Sequence, residues 1–169
     1  MKTFHDRLNS IRIEVTSDDG AIAVTKSNQV DYRIHISEDA TKHHNEDSLA
    51  RAVETAITSA KAGLMESQSK LLSDIQSRGI RIDPTSSPAV RGYAKLLEHL
   101  EDIEATGQSG SATVGVYGDG EIAVHLRAES VRKLSEHQLE QDLNSAVVAA
   151  FSEYRKQASA VRRRTNLVR

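Results

Sequence analysis

The chain of 169 residues contains no cysteine, no tryptophan and only 2 prolines. Without cysteine, a disulfide framework, a thiolate metal centre and a cysteine nucleophile are all excluded. No run of about 18 apolar residues is present, and the opening "MKTFHDRLNS" carries charge without an apolar segment, so neither a membrane span nor a secretory signal is predicted. We therefore expect a soluble, cytoplasmic protein without membrane contact.

A strong charge of one sign is also missing, because the formal net charge is −2, which gives no global attraction to nucleic acid or anionic lipid. The distribution is uneven, since no acidic residue follows Glu153. The basic residues beyond it are Arg155, Lys156, Arg162, Arg163, Arg164 and Arg169. Two interpretations of this basic segment remain open: phosphate contact, or a solvated helix end favoured by the helix dipole. No aromatic residue interleaves the arginines, which argues against base stacking on a single strand.

Signatures of catalysis are absent as well. The sequence has no G-x-x-x-x-G-K-[ST], no G-x-S-x-G and no H-E-x-x-H, and the glycines of "GQSGS" and "GVYGDGE" are interpreted as turn residues. The stretch "HISEDATKHHNED" contains three histidines, but adjacent histidines point apart on most backbones, so a solvated loop is favoured over a metal site. We expect no catalytic residues, no metal and no cofactor.

The first third of the chain has the pattern of a three-stranded antiparallel meander. "IRIEV" alternates apolar and charged residues, and Asp18, Asp19 and Gly20 suit a turn. The strands "AIAVT" and "VDYRIHI" follow. One face of the last strand carries Val30, Tyr32, Ile34 and Ile36.

A long amphipathic helix is predicted next, with Asn45 as its N-cap and Gly79 as its limit. Its apolar face carries Leu49, Val53, Ala56, Ile57, Ala60, Leu64 and Leu71. Residues 79–87 have the Gly, Pro and Ser content of a linker, and Ser87 with Pro88 can start a helix over "AVRGYAKLLEHLEDIEA" that ends before "TGQSG".

A second meander and a second long helix complete the chain. "SATVGVY" and "EIAVHL" are joined through Asp119 and Gly120, a strong hairpin signal. Ser135 with Gln138 makes a capping box. The inward positions of the helix that follows are Leu139, Leu143, Ala146, Val147, Ala150, Tyr154 and Val161.

The two halves share one register. The shift of 90 positions that places Leu49 on Leu139 superposes both helical stripes and places Val24 on Val114 and Ile34 on Val124 without a gap. Because strand alternation and helix stripe agree in one register, we interpret the chain as a tandem duplication. We expect an α+β fold with one unit over residues 1–78, which has a truncated first helix, and a second over 88–169.

The repeated unit resembles the YbaB/EbfC family of small bacterial nucleoid-associated proteins. In that family a Gly-rich first strand, a "V-x-V-x-G-x-G-E" hairpin and an "LxxDLxxAVxxA" helix occur in this order, as in "EATGQSGSATVGVYGDGEIAVHLRAE" and "SEHQLEQDLNSAVVAAFSEYRKQ". Family members are αβββα homodimers whose sheets join and whose helices project. The resemblance implies that the βββα and αβββα units form such a dimer within one chain, as an intramolecular pseudo-dimer.

Two functions follow from the resemblance. The first is binding of duplex DNA with low sequence specificity, in the cytoplasm or at the nucleoid, with the six basic residues after Glu153 as candidate contacts. The second is a protein-interaction or assembly module without DNA binding, for example beside a secretion system, which the acidic balance and the fused halves favour. Further homo-oligomerisation remains open in both cases.

Overall fold

The computed structural model describes residues 4–27, 31–77 and 100–166. The elements of the first half are α1 (Phe4–Asn9), β1 (Arg12–Thr16), β2 (Ile22–Ser27), β3 (Arg33–Ile36), α2 (Ala40–His43) and α3 (Glu46–Ser77). Those of the second half are β4 (Glu104–Ser109), β5 (Ala112–Tyr117), β6 (Ile122–Leu126), α4 (Ser130–Lys133) and α5 (Glu136–Asn166). The fold is α+β, with two three-stranded antiparallel sheets in the orders β1-β2-β3 and β4-β5-β6.

The predicted starts of both long helices are confirmed by their hydrogen bonds. Asn45 Oδ1 accepts the backbone N–H of Ser48 at 2.9 Å, so Asn45 caps α3. At the start of α5, the backbone N–H of Ser135 donates to Gln138 Oε1 at 3.1 Å, and the backbone N–H of Gln138 donates to Ser135 Oγ at 3.3 Å. The capping box is therefore formed in both directions.

Two predictions about residues 103–109 are wrong. The helix does not continue to Ala105, and Gly107 is not a turn residue, because Glu104–Ser109 forms β4 and pairs with β5. Just before this strand the carbonyl of buried Ile103 accepts the N–H of Gly118 at 2.8 Å, which fixes the chain in the sheet. Alternation of apolar residues did not predict this strand, because the inner face of β4 has small residues where α5 approaches it closely. Only the family pattern, which has a Gly-rich first strand at this place, indicated a strand.

The histidine-containing stretch is more ordered than the predicted solvated loop. Residues Ala40–His43 form α2, and the side chain of His44 is only 11% exposed. His44 Nε2 lies 2.8 Å from Asp19 Oδ2, and its Nδ1 lies 3.0 Å from Ser48 Oγ. Hydrogen bonds from the Ser17 hydroxyl and the Ala21 N–H, with His44 nearby, lower the pKa of Asp19 to about 2. The stretch thus ties the β1–β2 turn to the start of α3.

Several predictions fall outside the described residues. The linker 79–87 and the helix capped by Ser87 lie almost entirely within 78–99, and Val30 and Arg169 lie in the other undescribed stretches. In the part of the chain that the structure describes, no helix is long and apolar enough to cross a membrane.

Outside the first hairpin, β2, β3, α2 and α3 match β5, β6, α4 and α5 at a shift of 90. Ser17 and Ile22 enclose a four-residue turn, whereas Ser109 and Ala112 enclose only Gly110 and Ser111. The β1–β2 turn is therefore two residues longer than the β4–β5 turn. It carries Asp18 and Asp19, while the shorter turn has no carboxylate.

A single hydrophobic core joins the two halves. Helix α3 packs on β1 and β2 of its own half and on β6 of the other. Helix α5 packs in the same way on β4, β5 and β3. The predicted helical stripes form the helix side of this core, since Leu49, Val53, Leu139 and Leu143 are fully buried, and inward residues of the strands form the other side.

Helix side chains of each half cap the outer edge of the other half's third strand. The backbone N–H of Ile34 in β3 donates to Asn144 Oδ1 at 2.8 Å, and that of Val124 in β6 donates to Glu54 Oε1 at 2.7 Å. The two bonds are equivalent, because a shift of 90 positions relates Ile34 to Val124 and Glu54 to Asn144. The resemblance implied sheets that join, but no described strand of one sheet pairs with a strand of the other. The outward N–H groups of Ile34 and Ile36 in β3 and of Val124 in β6 donate to helix side chains instead.

Replacing Ser130 with alanine is expected to stabilise the fold by about 1 kcal/mol, because a buried hydroxyl without a partner loses its bonds to water on folding. Ser130 is 3% exposed, and its Oγ has no hydrogen-bond partner among the described residues. Its counterpart in the first half is Ala40, which is equally buried. Urea unfolding of Ser130→Ala measures the change. Ser135→Ala, which removes a helix cap, should destabilise by about 1 kcal/mol. A loss of stability in Ser130→Ala would contradict the prediction.

Candidate nucleic-acid interface

The first two candidate contacts, Arg155 and Lys156, are already engaged with carboxylates. Arg155 Nη1 donates to Asp31 Oδ1 and Oδ2 at 2.8 and 2.9 Å. Lys156 Nζ lies 3.7 Å from Glu153 Oε2. The pair with Asp31 connects α5 to the start of β3, so Arg155 has a structural contact between the halves. Asp31 Oδ1 also lies 3.8 Å from Lys26 Nζ, so two basic side chains share this carboxylate.

The next three candidates lie beyond the packed part of α5. Ala158 is the last residue of α5 that the structure describes as buried, and Arg162, Arg163 and Arg164 follow it as exposed side chains. Consecutive helical residues are about 100° apart, so the three arginines cover about 200° of the circumference. They make the helix end electropositive on most of its sides rather than forming a pocket. Arg169 lies outside the described residues.

The six candidate residues therefore do not form one cluster. Arg155 and Arg162 are seven positions apart on the same helix face, which places them about 10 Å apart along the axis. Arg155 belongs to the contact with Asp31 beside β3, Lys156 pairs with Glu153 within α5, and the three later arginines form a separate surface. We call Arg162, Arg163 and Arg164 the arginine end of α5.

The sequence patterns gave no indication of a groove beside α5. It has a volume of about 910 Å³ and runs between the start of β3 and the end of β4, with one face of α5 as its floor. His137, Gln141 and Val148 line this floor, and Val148 is 50% exposed. A helical stripe of His137, Gln141, Ser145 and Val148 is visible in the sequence, but nothing local shows that two sheet edges flank it.

Two of the carboxylates that border the groove, Glu140 and Asp142, are engaged with backbone N–H groups. Glu140 Oε2 accepts the N–H of Ile36 at 2.9 Å and lies 2.9 Å from His35 Nδ1. Asp142 Oδ2 accepts the N–H and the hydroxyl of Ser111, both at 2.7 Å. These acidic side chains therefore stabilise the walls of the groove. No group of three or more His, Asp or Glu side chains suited to a metal ion occurs among residues 4–27, 31–77 and 100–166.

Comparison with protein-family models finds no family that matches the chain, and no curated protein and no solved structure matches it. The resemblance to YbaB/EbfC proteins is therefore one of sequence motifs alone.

Proposed function

We propose that the chain is a YbaB/EbfC-like nucleoid-associated protein that binds duplex DNA through backbone phosphates with low sequence specificity. The observation that carries the proposal is the arginine end of α5: three consecutive exposed arginines, beyond the packed core, on a helix without an acidic residue after Glu153. Arginine is well suited to phosphate because its planar group donates several hydrogen bonds in a fixed geometry.

The contacts between the halves support a pseudo-dimer of two YbaB-like units. The bond of Asn144 to Ile34 and the bond of Glu54 to Val124 join equivalent positions of the two halves in opposite directions. Contacts across the two-fold axis of a homodimer have the same property. Glu46 and Glu136 make a second related pair, because Glu46 Oε1 accepts the N–H of Val131 and Glu136 Oε1 accepts the hydroxyl of Thr41. In this proposal the fused chain has the architecture of the family's homodimer.

The geometry of the arginine end favours phosphate contact over base recognition. Side chains that spread over most of a helix circumference can follow a charged backbone from several sides. Sequence is read by hydrogen bonds to base edges in the grooves, which needs side chains aligned on one inserted face. We therefore expect affinity that depends on salt and hardly on sequence.

Changing Arg162, Arg163 and Arg164 together to alanine is expected to weaken duplex binding and to make it less sensitive to salt. Each lost phosphate contact lowers the slope of log K against log salt by about 0.9, so a reduction of about 2 to 3 is expected. Fluorescence anisotropy with a labelled duplex across a salt series measures both quantities. Two duplexes of unrelated sequence test the low specificity.

The matched control removes three exposed arginines elsewhere, Arg12, Arg33 and Arg51, and so changes the net charge equally. This control should bind DNA with nearly the parent slope. If the variant of the arginine end keeps the affinity and slope of the parent, the contact does not lie there. If both variants lose the same amount of DNA affinity, the loss is a general effect of net charge and does not locate a binding site.

The groove beside α5 favours a second candidate function, a protein-interaction or assembly module. Val148 is one of two large apolar side chains with high exposure among the described residues, and it lies in a groove large enough for part of a partner chain. Purification of the parent and of Val148→Asp from the native host, without nuclease treatment, tests this function. The control is Thr58→Asp, the equivalent exposed position on α3. Recovery of nucleic acid without a stoichiometric protein would count against the second function.

A further inference from the structure

A small hollow on the outer face of the second sheet has the chemistry of an anion site. Its volume is about 270 Å³, and it lies at the β4–β5 turn. Gln108, Thr113 and His125 form one row across the three strands, since Gln108 pairs with Thr113 and Thr113 with His125. Arg127 follows His125 by two positions, on the same face. All four side chains line the hollow together with the turn Gly110–Ser111.

The groups in this hollow are hydrogen-bond donors to an oxyanion. Arg127 offers a guanidinium, Gln108 an amide, Thr113 a hydroxyl and His125 a ring N–H. No carboxylate lines the hollow. Arg127 is exposed, and no ion pair of its guanidinium is found in the part of the chain that the structure describes. The nearby Asp142 is engaged by the N–H and hydroxyl of Ser111, which anchors the turn to α5.

The equivalent surface of the first half lacks most of these hydrogen-bond donors. The equivalent row is Thr16, Ala23 and His35, and His35 lies 2.9 Å from the carboxylate of Glu140. The position of Arg127 is Ser37 there, and the adjacent turn carries Asp18 and Asp19 in place of Gly110 and Ser111. The two halves therefore differ at this place: carboxylates lie beside the row in the first half, and hydrogen-bond donors line a hollow in the second.

We propose that this hollow binds a phosphate group, with Arg127 as its principal contact. It is a separate site from the arginine end, because Asp142, which holds the turn, precedes Arg162 by 20 residues of continuous helix, about 30 Å. A charged guanidinium supplies the strongest hydrogen bonds to phosphate, and the neutral donors of Thr113 and Gln108 orient it. The inference does not depend on DNA binding by the arginine end.

Inorganic phosphate is the first probe, added to the full chain at constant ionic strength against chloride and followed by backbone ¹H–¹⁵N shifts. We expect saturable shifts at Gly110, Ser111 and Arg127. Arg127→Ala should weaken the binding by about 10-fold or more, as for loss of a charge-assisted contact. Arg33→Ala is the matched control, an exposed arginine on the outer face of the first sheet. It should bind phosphate like the parent.

A short duplex is the second probe and identifies the source of the phosphate. Shifts at the same three residues with the duplex, retained when the arginine end is changed to alanine, would assign the site to a nucleic-acid backbone. Shifts with inorganic phosphate but not with the duplex would assign it to a small phosphorylated molecule. Equal phosphate affinity in the parent and Arg127→Ala, or no saturable shift at these residues, would overturn the proposal whatever the arginine end binds.

Discussion

Replacing Gly107 with alanine is expected to destabilise the protein by about 3 kcal/mol or more, at the upper end of what overpacking of a core costs. A Cβ at this position would lie 2.1 Å from the carbonyl oxygen of Ala146 and 2.3 Å from the backbone nitrogen of Ala150. Both atoms belong to the backbone of α5, so no side-chain rotation relieves the overlap. The helix has to move away from β4, and the core under it loses contact. Thermal unfolding should show a decrease in Tm of about 10 °C.

Gly115 provides the matched control in the neighbouring strand. A Cβ there would meet the Tyr117 ring, with its nearest atom at 3.1 Å, and a tyrosine side chain can shift by the few tenths of an ångström needed. We therefore expect Gly115→Ala to change the free energy of unfolding by less than about 1 kcal/mol, since glycine in a strand is itself unfavourable. Similar stabilities for Gly107→Ala and Gly115→Ala would contradict the close approach of α5 to β4.

The strand that contains Gly107 also shows where sequence patterns fail. Alternation of apolar residues predicted β2, β5 and β6 because their inner faces carry valine, isoleucine and leucine. In β4 the inner face carries only Ala105, Gly107 and Ser109, so "TGQSG" has the composition of a loop. The small residues are required by the distance to α5. That distance is a tertiary property and leaves no periodic signal.

The burial of the helical stripes was predicted correctly where the sheets cover the helices, and less accurately beyond the sheets. Ile57, Ala60, Val147 and Ala150 are fully buried, whereas the last members of the stripes, Leu71 and Val161, are only half-buried. A heptad-like stripe indicates which face is apolar but not how far the covering sheet extends. Both long helices continue past their own sheets, and this extension is what exposes the arginine end.

The candidate site was likewise visible only in part. The excess of basic residues after Glu153 is a local property, so Arg162, Arg163 and Arg164 could be named from the sequence. The pairing of Arg155 with Asp31 joins residues 124 positions apart, and no local pattern contains it. The proposed phosphate site at the β4–β5 turn could not be predicted from local sequence either. Its side chains lie on three neighbouring strands, and the strand register decides which of them are adjacent.

The second large loss of stability is expected for Asn144→Ala, because Asn144 is one of the polar residues that join the two halves. Asn144 Oδ1 accepts the N–H of Ile34, and its Nδ2 donates to the carbonyl oxygens of Ile34 and Glu140, each at 2.8 Å. Ile34 is fully buried, so alanine leaves an N–H and a carbonyl at the edge of β3 without these partners. A buried group that loses its partner costs about 1 to 3 kcal/mol, and the higher helix propensity of alanine offsets less than 1 kcal/mol. We expect a net loss of about 2 kcal/mol in urea unfolding.

Hydrogen exchange separates this effect from a general loss of stability. The amide of Ile34 should exchange faster in Asn144→Ala by more than the change in global stability explains, because its acceptor is gone even in the folded state. Ser145→Ala, the next position on the helix, is the control and should stay within about 0.5 kcal/mol of the parent. An unchanged Ile34 exchange rate would mean that another group accepts this N–H. The same measurement on Val124 in Glu54→Ala repeats the test on the related contact, where a glutamate takes the place of the asparagine. If both amides lose protection, the third strands of the two sheets depend on the helix of the opposite half, and neither unit is complete without the other.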